Sequence, residues 1–348
     1  MLFRMAMIVT CTLGLLIAAP GAQAARSTKD RVLLVVSSHG ADDGKTRPGF
    51  EMDELTQAYL IFKDNGLQVD IASPSGGAVV ADKYNRNKPY NMRFLNDADA
   101  VANLAATRPI TSIRDEKYAA VFVIGGKGSM FDLPVNADLK MLLATTYESG
   151  GVIGAVCHGP AVLMNVPMKN GTSLLEGRSV TGFSNEEEAL FGKGWAPSFP
   201  VLLENGLRGS GAKFSEAPIM LNHVVADGRL VTGQNPYSTA AAAEAVVGAM
   251  GRPLAPRQAW PDERSIKLIG EMLDGNKAQA TASFNADPSL YDVPLIAMWG
   301  YFRAQSAGPD RKALTHAVEI MELASPHFKQ EEVTTAIAEA RKKLEQMQ

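Results

Sequence analysis

Three short, unbroken apolar runs constrain the fold more than anything else in the chain: VLLVV (32–36), AVFVI (120–124) and VIGAV (152–156). A strand with one solvated face alternates apolar and polar residues. An uninterrupted run of about five suits a strand covered on both faces, as in a parallel sheet. Helix-length segments lie between the runs. Residues 51–65 (EMDELTQAYLIFKDN) place Leu55, Ala58, Tyr59 and Phe62 on one face, and Gly66 follows as a stop. Residues 136–149 (NADLKMLLATTYES) repeat the pattern, with Asn136 as N-cap and Gly150-Gly151 beyond the end. Strands alternating with helices predict an α/β sandwich around a mainly parallel sheet. Near its end, NHVVA (222–226) and RLVT (229–232) flank Asp227-Gly228, which predicts a β-hairpin. A helix from Ser238 then closes a domain expected over 31–251.

Residues 252–263 (RPLAPRQAWPDE) are rich in proline and are expected to form a linker. Beyond it, 264–348 is expected to be an all-helical extension, with helices at 292–305, 310–325 and at the end of the chain. The pair over 292–325 resembles one tetratricopeptide-type hairpin. A single repeat unit has no neighbours to cover its faces. The alternative is a helical cap packed on the α/β domain or on a second subunit. The extension is also the place expected for a protein partner.

The net charge of −3 over 348 residues gives no basic footprint for nucleic acid. Residues 1–24 carry Arg4, an apolar stretch from Met5 to Ala19 and the small-x-small sequence Ala22-Gln23-Ala24. This predicts a cleavable signal peptide and an exported, periplasmic-type protein without a membrane span. The alternative, a membrane anchor, needs roughly 20 apolar residues. Of the two cysteines, Cys11 would leave with the leader and Cys157 would have no intramolecular partner.

Cys157 stands at the end of the third apolar run, in GGVIGAVCHGP (150–160). Ala155 and Gly159 lie two residues to either side, and a helix is expected to begin near Pro160. Small residues at those offsets let a strand turn sharply, holding the central side chain above the sheet edge as in a nucleophile elbow. A Cβ at Gly159 would strike the crossing backbone. The N–H groups of the expected helix would favour a thiolate. A lone cysteine can also be a small core hydrophobe. His158, beside it, can take or return a proton near neutrality. IGGKG (124–128) follows the second run. Gly125 and Gly126, with the His158 amide, are expected to form an oxyanion hole. No nucleotide-binding loop pattern is present there.

VIGAVCHGPAVL resembles the nucleophile elbow of the DJ-1/PfpI superfamily, in particular its Hsp31-like branch. Residues 49–77, 122–134, 180–190 and 227–236 are similar to further family blocks in family order. The resemblance covers most of 31–250 and implies a flavodoxin-like sandwich. By residue type alone, Glu54 is one more acid at a helix start, as are Glu51 and Asp53. The resemblance implies instead that Glu54 meets the sulfur with a protonated carboxyl. It also implies that Glu188, within the run Glu186–Glu188, orients His158; a solvated helix start is the alternative for the other two. A histidine commonly occupies the place of Lys127 in this branch. Lysine changes the charge at the pocket mouth, and with it the substrate preference that can be carried over.

The activity implied is a cofactor-independent, glyoxalase III-type lyase acting on small α-oxoaldehydes, with neither metal nor nicotinamide required. A homodimer is the expected assembly. Competing expectations are a stress-related holding chaperone or oxidant-sensing thiol protein, and an amidase or peptidase. The last lacks the later His-x-Glu pair of amidotransferases, since Val224-Val225 follow His223. Of the remaining histidines, His39 follows the first strand and could line the pocket, His223 is expected in a strand, and His316 and His327 are expected to be structural or exposed. No pair has metal-site spacing.

Overall fold

The computed structural model describes residues 30–192 and 194–347. The expected leader, 1–24, and Cys11 lie outside the described residues. The apolar runs form the centre of a seven-stranded sheet. Its strands are β1 (Arg31–Val35), β2 (Gln68–Ser73), β3 (Arg108–Pro109), β4 (Ala120–Val123), β5 (Val152–Val156), β8 (Val224–Asp227) and β9 (Leu230–Gly233), in the order β3-β2-β1-β4-β5-β9-β8. All neighbours are parallel except β8 and β9, the expected hairpin. A separate two-stranded pair joins β6 (Ser179–Val180) to β7 (Lys213–Phe214).

The register sets up the site. Val35 lies opposite Val123, Val123 opposite Ala155, and Ala155 opposite Thr232. The carboxyl ends of β1, β4, β5 and β9 are therefore level. The order turns back between β1 and β4, and open α/β sheets bind ligands at the carboxyl edge beside such a switch. The α/β part carries α1 (Met52–Asp64), α2 (Pro89–Leu95), α3 (Ala98–Ala105), α4 (Ile110–Ile113), α5 (Ala137–Glu148), α6 (Asn185–Phe191), α7 (Leu203–Gly209) and α8 (Thr239–Ala249). The Asn136 side chain accepts the Leu139 N–H at 2.9 Å, as expected of the N-cap of α5.

The segment expected as a linker over 252–263 is extended only to residue 260. α9 (Pro261–Leu273) begins inside it. Proline fits the first helical position because its missing N–H is unpaired there anyway. Glu263 also folds back to accept the Trp260 N–H at 2.8 Å. α10 (Lys277–Ala286), α11 (Val293–Ser306), α12 (Arg311–Ala324) and α13 (Glu331–Gln346) complete the chain order.

The extension packs against the α/β part. The indole Nε1 of Trp299 donates to the Ile219 carbonyl at 2.9 Å, the Tyr90 hydroxyl donates to Asp262 at 2.7 Å, and Arg303 pairs with Glu186 at 2.7 Å. Met220, from the loop between β7 and β8, is part of the apolar core formed by Ile269, Phe284, Ile296, Trp299 and Met321. Among the described residues no helix is long and apolar enough to cross a membrane.

Candidate active site

The chain leaves β5 at Val156 and Cys157 takes φ of 59°, a left-handed conformation that a non-glycine residue adopts only when its surroundings hold it there. Here the hold is explicit. The Cys157 N–H donates to the Gly233 carbonyl of β9, and the Phe183 N–H donates to the Cys157 carbonyl, both at 3.0 Å. Two residues on, a Cβ at Gly159 would stand 2.5 Å from the Val123 carbonyl oxygen, so the crossing backbone admits no side chain there.

The α-helix expected from Pro160 is absent. Residues Gly159–Leu163 form a single 3-10 turn, too short for a row of aligned peptide dipoles to face the sulfur. The expectation of a helix-stabilised thiolate is corrected accordingly. Burial and the neighbouring Glu54 push the Cys157 thiol well above its usual range, and the Gly126 N–H at the sulfur pulls the other way.

Two side chains, His158 and Glu54, meet the Cys157 sulfur, and Glu188 holds His158 from its far side. His158 Nδ1 lies 3.4 Å from Cys157 Sγ, and His158 Nε2 lies 2.8 Å from Glu188 Oε2. His158 and Glu188 are both buried. Desolvation lowers the His158 pKa and Glu188 opposes the shift, so the imidazole is neutral at pH 7 with its Nε2 proton held by the carboxylate. Nδ1 is then free to accept the thiol proton.

Glu54, in the first turn of α1, is fully buried; its Oε2 accepts the Gly125 N–H at 2.7 Å. Its Oε1 has no hydrogen-bond partner of regular geometry, and the carboxyl lies against Cys157. Desolvation and the charge of Glu51 raise the Glu54 pKa well above the ordinary carboxyl range. A neutral carboxyl facing sulfur is the consequence of that environment.

The oxyanion hole differs from the expectation at one position. The Gly125 amide is occupied by Glu54, so it does not face the cleft. Gly126, at φ of 90°, turns its N–H to the sulfur and lines the cleft with His158. The Gly126 amide remains as a donor at the sulfur. Lys127 stands at the mouth beside Glu51 and Asp82. Desolvation and the neighbouring acids Asp53 and Asp82 push the Glu51 carboxyl up to about 7.

The three glutamates of α6 separate. Glu188 holds His158 and Glu186 meets Arg303. Glu187 is fully buried, closes a capping box with Ser184 and accepts from Met220 N–H and Asn235 Nδ2, each at 2.8 Å. Only Glu186 behaves as a solvated helix-start residue. His39 is stacked on Phe131 at 4.5 Å and does not line the cleft. Among the described residues no three His, Cys, Asp or Glu side chains converge as metal ligands.

Cys157 is only 3% exposed, yet it forms the floor of an open cleft of about 260 Å³. Phe183, Phe191, Met220 and Tyr237 line it, together with Met298 and Phe302 of α11. These apolar residues carry no motif. The sequence signal for the last two was their separation of four residues on one helix, which puts them on one face.

The chain is similar to known proteins over its α/β part. The chain is 31% identical over 236 residues to glyoxalase 3 of Candida albicans, covering 63% of this chain and 98% of that one. It is 32% identical over 223 residues to a glutathione-independent glyoxalase of Saccharomyces cerevisiae, covering 60% and 92%. Among solved structures, the Candida albicans glyoxalase III superposes with a TM-score of 0.59 at 28% identity, over 64% of this chain and 98% of that chain. A rapid encystment protein of Francisella tularensis superposes with a TM-score of 0.59 at 33% identity, over 64% and 99%. Residues 46–249, more than half of the chain, match the DJ-1/PfpI family, and the chain belongs to that family.

Proposed function

We propose that the protein is a glutathione-independent glyoxalase, a lyase of the glyoxalase III type with Cys157 as nucleophile. The observation that carries the reading is the placing of an imidazole and a buried carboxyl on the same thiol, at the floor of an open cleft. Cys157 Sγ adds to the aldehyde carbon (C1) of an α-oxoaldehyde as its proton passes to His158 Nδ1. The Gly126 amide holds the developing oxyanion. The hemithioacetal carries its hydrogen on C1 and a ketone at C2. Removal of the C1 proton gives an enediol, and return of a proton to C2 gives an α-hydroxy thioester. Glu54 and His158 are the groups placed to carry those protons. Water then cleaves the thioester, releasing the hydroxy acid and restoring the thiol. C1 is oxidised and C2 reduced within one molecule, so the balance needs water alone.

A simple hydrolase needs no second neutral acid on its nucleophile, and the Glu54 carboxyl is what favours proton transfer between adjacent carbons. With the leader expected at 1–24, the enzyme would act after export. The test is lactate formation from methylglyoxal without glutathione. The wild-type chain is expected to turn over and Cys157→Ala to lose at least a thousandfold in rate. Turnover retained in Cys157→Ala would refute the reading.

A further inference from the structure

The family match stops at residue 249, and α11 lies beyond it. Even so, α11 contributes to the cleft above Cys157 through Met298 and Phe302. A series of rings connects the catalytic base to this helix. His158 lies 4.5 Å from Phe183 between ring centroids, Phe183 lies 6.5 Å from Phe191, and Phe191 meets Phe302 edge to face at 4.8 Å. Met298 remains 43% exposed, an apolar side chain left open beside a cleft. The polar groups Lys127, Glu51 and Asp82 are also in the lining. The cleft thus offers the Gly126 amide and a thiol at its floor, and an aromatic and thioether wall that Met298 and Phe302 complete from outside the family region. Its 260 Å³ corresponds to roughly nine waters at about 30 Å³ each, more room than the few heavy atoms of methylglyoxal require.

We propose that the helical extension sets the substrate class: its α11 wall selects α-oxoaldehydes whose ketone carries an aryl or branched alkyl group over methylglyoxal. The proposal rests on the glyoxalase reading for its chemistry. The two carbonyls occupy the Cys157, His158 and Gly126 end. The substituent lies on Phe183, Phe191, Met298 and Phe302. A methyl group leaves most of that wall in water, whereas a phenyl group covers it. Apolar pockets discriminate by roughly tenfold or more per added methylene-sized group.

The experiment uses the full chain, since Met220 of the α/β part is packed in the core of the extension. Values of kcat/KM are measured for phenylglyoxal and methylglyoxal without glutathione, in wild type, Phe302→Ala and Met298→Ser. Phenylglyoxal is expected to be preferred at least tenfold, and each variant to reduce the phenylglyoxal-to-methylglyoxal ratio about tenfold, mainly through KM. Met298 is exposed, so its variant keeps the fold even if Phe302→Ala does not. Equal use of both aldehydes, or an unchanged ratio in Met298→Ser, overturns the proposal while leaving the glyoxalase reading intact. If no aldehyde is turned over, that reading falls and titration calorimetry with the two hydroxy acids decides the wall separately. Mandelate binding at least tenfold tighter than lactate, and weakened by Met298→Ser, sustains the wall. Equal binding, or none, overturns it.

Discussion

Glu54 and Cys157 are both buried, and burial raises the pKa of each; Glu54 raises that of the thiol further, whereas the hydrogen bond with the thiol lowers that of the carboxyl. The unfolded Glu54 titrates near the ordinary value of 4.5, whereas the folded one holds its proton far higher. Its contribution to stability is therefore complete below the unfolded pKa and is lost as pH rises through the folded one. Glu54→Gln keeps the shape and the neutral state. It is expected to gain thermal stability relative to wild type as pH is raised from 5 to 9, and to lose about a hundredfold or more in kcat. His158 has the opposite sign. Its folded pKa lies below 6.5, so stability declines as pH falls through 6.5 and the unfolded chain takes up a proton the folded chain refuses. The acid limb of kcat/KM is expected below pH 6.5. Glu188→Ala removes the group that raises the imidazole pKa, so that limb should move to still lower pH while the rate falls. A limb that stays in place would show that another group sets it.

At the scale of the element, the elbow was legible because its requirements are steric and local. Cys157, Gly159 and the end of an apolar run suffice to place a side chain above a sheet edge. The segment just after the elbow was not legible. GPAVL has nothing in its composition to distinguish a 3-10 turn from the start of a helix, and the turn changes the electrostatics at the sulfur. The occupied Gly125 amide was hidden for a similar reason, because its partner Glu54 lies 71 residues away. The glutamate run was legible only through the family resemblance, since three consecutive acids at a helix start look alike until packing separates them. α6 ends at Phe191, with Gly192 as its C-cap. Gly192 has an ordinary φ of −91°, but a Cβ there would collide with Glu188 Oε1. Gly192→Ala is thus expected to displace the carboxylate and lower kcat about tenfold or more in a folded protein. The same change in a Glu188→Ala background should cost little further. Additive losses would show that Gly192 acts by another route.

On the scale of the whole molecule, the parallel sheet and the hairpin could be read from apolar runs and turn residues, whereas α9 was hidden by proline. Pro261 signals a break and a helix start equally well, and only the Trp260 to Glu263 closure decides between them. A helical cap on the α/β part was among the sequence readings, but the contacts that dock it were not legible because they pair residues far apart, as with Trp299 and Ile219. Trp299 is the largest fully buried side chain among the described residues. Trp299→Ala should destabilise the full chain by about 3–5 kcal/mol, read from denaturant midpoints at unchanged slope. It should also lower activity, since Trp299 adjoins Met298 of the cleft wall. A change below about 1 kcal/mol would mean that the extension is not anchored there. Bonding of the Cys157 thiol to the aldehyde carbon is tested most directly by mass spectrometry of Glu54→Gln quenched during reaction with methylglyoxal. The expected result is a single adduct of the aldehyde's mass on the peptide containing Cys157, absent in Cys157→Ser. A turning-over enzyme with no adduct on that peptide, or with the same adduct in Cys157→Ser, would contradict it.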